Sequence, residues 1–105
     1  IVEYLIENGA NIDKKEESYG MTPLMIACYN ENVTIAEYLI QQGASVNKKN
    51  NEGDTSLIYA CRKGNERMVN CLIENGADIN QKDRDENTPL IIACYREDEA
   101  IVKLL

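Results

Sequence analysis

Short apolar runs alternate along the chain with polar stretches rich in asparagine and charge, and the apolar runs come in pairs. Leu24 to Tyr29, Leu57 to Arg62 and Leu90 to Tyr95 are apolar almost all round, the pattern of a short helix packed on several sides. Each is followed by an amphipathic run, with Ile35, Leu39 and Ile40 in one case and Met68, Leu72 and Ile73 in the next, at the spacing of one helical face. Thr22-Pro23 and Thr88-Pro89 supply a capping hydroxyl and a proline suited to the first turn. Asn32, Asn65 and Asp98 offer caps for the second helices, which stop at Gly43 and Gly76, residues able to take the left-handed position that ends a helix. Residues 47 to 54, charged and rich in asparagine, are expected to be a connecting loop.

The landmarks recur at a nearly fixed interval. Thr22, Thr55 and Thr88 are spaced by 33 residues, as are Cys28, Cys61 and Cys94, and Ile35, Met68 and Ile101. Gly9, Gly43 and Gly76 are spaced by 34 and 33, so one extra residue lies between Gly9 and Thr22, which implies a surface loop there. A helix pair of this size cannot bury its apolar face alone. The units must stack, drawing stability from contacts between neighbours.

Gly20-Met21-Thr22-Pro23-Leu24, Gly53-Asp54-Thr55-Ser56-Leu57 and Glu86-Asn87-Thr88-Pro89-Leu90, with the small pairs Ala27-Cys28, Ala60-Cys61 and Ala93-Cys94, resemble the ankyrin G-x-T-P-L-H-x-A-A motif. The resemblance covers the whole chain and implies an all-α solenoid of stacked helix-turn-helix repeats with projecting β-turn loops. It divides a single domain, 1–105, into a partial repeat 1–13, repeats 14–47 and 48–80, and an incomplete repeat 81–105. Residues 1–5 align with Ile35 to Leu39 and with residues 101–105, so both ends are expected to fall inside second helices, in a piece of a longer chain whose apolar ends stack end to end with further copies. Met25, Ile58 and Ile91 replace the motif's His, which in the family ties one repeat's turn to the next. Glu31 and Glu97 stand where the family prefers Gly, which only Gly64 keeps, so two turns are expected to be strained or differently shaped. Ser56 and Glu86 are lesser departures.

Charge restricts the partners. Eleven Lys and Arg against eighteen Asp and Glu give a net charge of −7, which repels phosphate backbones and anionic lipid, so neither nucleic acid nor a membrane is expected as partner. No run approaches the roughly 20 apolar residues that span a bilayer, and the first residues do not read as a signal peptide. The four cysteines look chemical, but equivalent positions in stacked helices lie about 10 Å apart, whereas disulfide partners need Cα atoms within about 7 Å. They are expected to be buried, reduced, small apolar residues binding no metal, which fits an intracellular setting, cytoplasmic or nuclear. The sequence has no His and no Gly-rich phosphate loop, and its acidic pairs, Glu16-Glu17 and Asp83 with Asp85, are read as solvated loop charge. No catalytic residue, enzymatic activity or cofactor is expected.

A protein partner is what the family resemblance implies, held in the concave groove lined by the first helices. Tyr29, Arg62 and Tyr95 occupy one repeat position and are expected to form a row, beside Asn30, Lys63 and Arg96, with Tyr59 extending the patch. At the loop tips the candidates are Tyr19 and Met21, then Asn51, Glu52 and Asp54, then Arg84, Asp85 and Asn87. An acidic surface with a basic stripe through Arg62, Lys63 and Arg96 suggests a partner with a local carboxylate patch within broadly basic surroundings. The competing reading is a structural spacer inside a larger protein.

Overall fold

A computed structural model describes residues 11–105. Ile1, Val2, Leu5 and Gly9-Ala10, and with them the stacking expected of the first residues, lie outside the described part. Among the described residues there are six helices and no strand: α1 (Pro23–Tyr29), α2 (Val33–Gln41), α3 (Ser56–Lys63), α4 (Glu66–Glu74), α5 (Pro89–Tyr95) and α6 (Glu99–Leu104). They form three antiparallel pairs, one per period. α1, α3 and α5 stack on one another, as do α2, α4 and α6, which is the all-α solenoid expected.

The caps fall where the side chains can make them. The hydroxyls of Thr22, Thr55 and Thr88 accept from the amides of Met25, Ile58 and Ile91 at 3.2, 3.2 and 3.3 Å. Asn32, Asn65 and Asp98 do the same for Ile35, Met68 and Ile101 at the second helices. These caps satisfy amide donors that a helix start leaves open. Between the two helices of each pair φ is positive, 57° at Glu31, 68° at Gly64 and 57° at Glu97, so the strain expected at the two glutamates is present.

The core runs along the stack. Leu24, Met25 and Cys28 of α1, Leu57, Ile58 and Cys61 of α3, and Leu39, Met68, Leu72 and Ile101 of the second helices are buried. Met25 and Ile58, at the position where the resemblance implies a histidine, are wholly enclosed; apolar packing takes the place of the polar tie. Polar ties between neighbouring repeats run instead along the loops. The Ser45 amide donates to Asp13 Oδ1 at 3.0 Å, and the Asp78 amide donates to Asn47 Oδ1 at 2.7 Å one repeat later.

Candidate functional site

Each loop between repeats folds back on itself as a finger, held by one side chain at its base. Asn50 Oδ1 accepts from the amides of Glu52 and Asp54, both at 2.9 Å, and Asp83 Oδ1 accepts from those of Asp85 and Asn87, also at 2.9 Å. The first finger is longer, and the extra residue lies in it: the Glu16 amide pairs with the Met21 carbonyl where Asn50 pairs with Asp54 and Asp83 with Asn87. A longer side chain matches the longer loop. Glu16 reaches the amides of Ser18, Tyr19 and Met21 at 2.7, 2.7 and 3.1 Å. The Met21 amide foremost, opposed by slight burial and seconded by Tyr19 and Ser18, holds the Glu16 carboxyl below its usual range.

The added residue carries Tyr19 toward the helices. Tyr19, Met21, Tyr29, Glu52 and Tyr59 line a hollow of about 380 Å³ between the first two fingers and helices α1 and α3. The Tyr29 and Tyr59 rings meet edge to face, 5.9 Å between centroids at 85°. Asn50 fixes Tyr59 by donating to its hydroxyl at 2.8 Å, and the Asn51 amide joins the two fingers by donating to the Tyr19 carbonyl at 2.9 Å. Burial first, then the Asp54 charge, pushes the Tyr59 phenol above its ordinary pKa, so it is neutral at physiological pH. The sequence marked these five residues as separate candidates at tips and in rows, and the structure brings them together.

The basic stripe does not stand free. Arg62 is held by Asp54, with Nη1 to Oδ2 at 2.9 Å and Nη2 to Oδ1 at 3.0 Å, and by Asp83 at 2.9 Å. It also lies 5.8 Å from the centroid of the Tyr59 ring. Arg96 folds back across Gly64 to donate to the Arg62 carbonyl at 2.8 Å, a path that a Cβ on Gly64 would obstruct. Lys63 sits with its ammonium 4.3 Å from the centroid of the Tyr29 ring. Asp54 is accordingly a buried residue at the base of its finger rather than an exposed tip, and Asp83 is buried rather than solvated. Both stand beside the Arg62 guanidinium, which gathers them in. Burial opposes the charge on Asp83, but the Asn87 amide, Arg62 and the Asp85 amide together outweigh it and hold its carboxyl below the usual range.

A model of ankyrin repeats in three copies matches residues 1–83 and 46–105. The chain belongs to the ankyrin repeat family. Over 56 residues, 53% of this chain, it is 39% identical to the ankyrin repeat and SAM domain-containing protein 6 of Mus musculus, of which the match covers 6%. It is 43% identical over 53 residues, 50% of this chain, to protein phosphatase 1 regulatory subunit 27 of Homo sapiens, of which the match covers 34%. It is 39% identical over 49 residues, 47% of this chain, to alpha-latrocrustotoxin-Lt1a of Latrodectus tredecimguttatus, covering 4% of that protein. The chain spans about a third or less of the length of these relatives.

Within the ankyrin stack the remaining candidates are scattered. Asn30, Asn51, Arg84 and Asp85 are exposed, Asn87 is partly covered, and Tyr95 is 81% exposed, so the Tyr29-Arg62-Tyr95 row is not a continuous contact. Asn50, inconspicuous in a polar loop, positions Tyr59; in the sequence its alignment with Asp83 is the signal that marks it. Cys28 and Cys61 are buried as expected, and burial pushes their thiols up to about 12. Cys94 is exposed, against expectation, because no described repeat packs on that side of α5. Among the described residues no group of three or more His, Cys, Asp or Glu side chains is placed to hold a metal ion, and no helix is long and apolar enough to cross a membrane.

Proposed function

We propose that this chain is a protein-binding scaffold whose contact surface centres on the hollow between the first two fingers and extends along the first helices. The observation that carries this is the gathering of Tyr19, Met21, Tyr29 and Tyr59 around one open concavity, with Tyr19 and Tyr29 left exposed. Aromatic side chains contribute most strongly to protein interfaces, and solvent-facing rings grouped in this way mark recognition surfaces. The relative named as a regulatory subunit of a phosphatase fits the reading, since such a subunit acts on another protein. The test is affinity capture by the chain and by the double variant Tyr19→Ala, Tyr29→Ala, with circular dichroism to verify the fold. Loss of the captured partner is expected; capture that survives unchanged would reject this surface.

A second surface is favoured by a different observation. At the far end of the stack Leu90 and Ile91 are 45% and 40% exposed, although their counterparts in α1 and α3 are buried. This face is proposed to take a further repeat, from a longer chain or from a second copy, stacked as a continuing solenoid.

A further inference from the structure

We propose that the hollow lined by Tyr19, Met21, Tyr29, Glu52 and Tyr59 is a receptor for a basic side chain, lysine or arginine, carried by the protein partner. This rests on the protein-binding reading above and puts a basic group of the partner, rather than a local carboxylate patch, against this surface. The basic stripe that would attract carboxylates is used inside the molecule: Arg62 by Asp54 and Asp83, and Arg96 by the Arg62 carbonyl. One arginine against two aspartates leaves that cluster with a net charge of 1 − 2 = −1. Glu52, exposed on the wall of the hollow, makes no ion pair among the described residues. The chain as a whole carries −7. Counting Lys63, which lies over the Tyr29 ring, the charges around the hollow are Arg62 and Lys63 against Glu52, Asp54 and Asp83, 2 − 3 = −1, so a basic group entering it moves toward net negative charge.

The rings supply the second attraction. The face of an aromatic ring is the negative end of its quadrupole, and a cation above it is drawn in. The protein itself shows the affinity of these rings: the Lys63 ammonium lies over Tyr29 and the Arg62 guanidinium near Tyr59. The methylenes of an entering lysine or arginine would lie against Met21 and the ring bodies while the charged head reaches Glu52. At about 380 Å³ the hollow exceeds what one such side chain needs, being within the range of about 300–1,000 Å³ typical of small-ligand pockets. Its walls are set in advance. Asn50 holds the Tyr59 hydroxyl and the Asn51 amide ties down the Tyr19 backbone, which lowers the ordering cost of binding.

The experiment follows the ring signals of the tyrosines by NMR while blocked single amino acids are titrated in: the N-acetyl methylamides of lysine, arginine, norleucine and glutamate. Lysine and arginine probes are expected to shift Tyr19, Tyr29 and Tyr59 saturably and leave Tyr95 unmoved. Uncharged norleucine, close to lysine in shape, should bind at least about threefold more weakly, and glutamate more weakly still. Glu52→Gln, a change at an exposed position, should reduce the preference for lysine over norleucine to about twofold or less. Norleucine binding as well as lysine, glutamate binding better, or no saturable shift of these rings overturns the proposal. Failure here is distinguishable from failure of the scaffold reading. If partner capture is lost in Tyr19→Ala, Tyr29→Ala while the probes show no preference for charge, the surface stands and the basic guest falls.

Discussion

At the turn between the helices of each pair the three repeats solve one geometric problem with different residues. The backbone is left-handed at Glu31, Gly64 and Glu97, and a residue with a Cβ pays about 1–2 kcal/mol for that conformation. Glycine avoids the penalty but loses more chain entropy on folding, about 0.4–1 kcal/mol. The balance predicts that Glu31→Gly and Glu97→Gly each raise stability by about 0.5–1 kcal/mol, read as a higher urea midpoint by circular dichroism with an unchanged slope. Gly64→Ala should fall by more than these rise, because its added methyl also meets the Arg96 guanidinium. A midpoint that drops in either glutamate variant would show that these side chains do something the backbone does not reveal. These strained turns were legible in the sequence, because a fixed period aligns Glu31 and Glu97 with Gly64. Glu86, with φ of 63° where Gly20 and Gly53 have 71° and 80°, was legible only as a departure. Nothing in a linear pattern shows that Asp83 turns inward, since that depends on an arginine 21 residues earlier.

The fork on α3 joins three elements: the helix that carries Arg62, the finger before it through Asp54, and the next repeat's finger through Asp83. The carboxylates are nearly enclosed, their side chains 4% exposed, while Arg62 is 39% exposed. Removing the arginine therefore costs more through the carboxylates left behind than through the pair itself. Discounted for solvent screening at the arginine, Arg62→Ala should destabilise by about 1–2 kcal/mol at neutral pH. The pH dependence has a definite sign. The Asp83 carboxyl is held below its ordinary value in the folded state, so its contribution is present above the ordinary carboxylate pKa and is lost as pH falls through the lowered one. The difference between wild type and Arg62→Ala should therefore shrink as pH falls below about 4, measured as urea midpoints across an acid series. A difference that stays constant would mean that Arg62 acts by packing rather than charge. The helices and their caps were readable from Thr, Pro and Asn, whose effects are local. The fork was not, because both partners lie in loops whose side chains are oriented only once the repeats have stacked.

Across the molecule, letters that match in the sequence end in unlike surroundings according to what covers them. Leu24 and Leu57 are buried while Leu90 is 45% exposed, and Cys28 and Cys61 are enclosed while Cys94 faces solvent. A period tells which side of a helix a residue occupies, and the neighbouring repeat decides whether that side is covered. Leu90 and Ile91 form an apolar face at the end of the stack, next to the exposed Cys94 and Tyr95. Such a face favours association, which the net charge of −7 opposes. Light scattering should then give an apparent mass that rises with concentration, and rises more steeply in high salt, where repulsion between copies is screened. The double variant Leu90→Lys, Ile91→Lys distinguishes the causes, because it reduces the net charge to −7 + 2 = −5 and so weakens repulsion while removing the apolar face. If stacking of α5 against another copy drives association, the variant is monomeric in spite of its lower charge, with helicity unchanged at these exposed sites. If the variant associates as wild type does, the contact lies elsewhere. A strict monomer for wild type at high concentration and high salt would remove the end face as a self-association surface and leave protein contact to the hollow between the fingers.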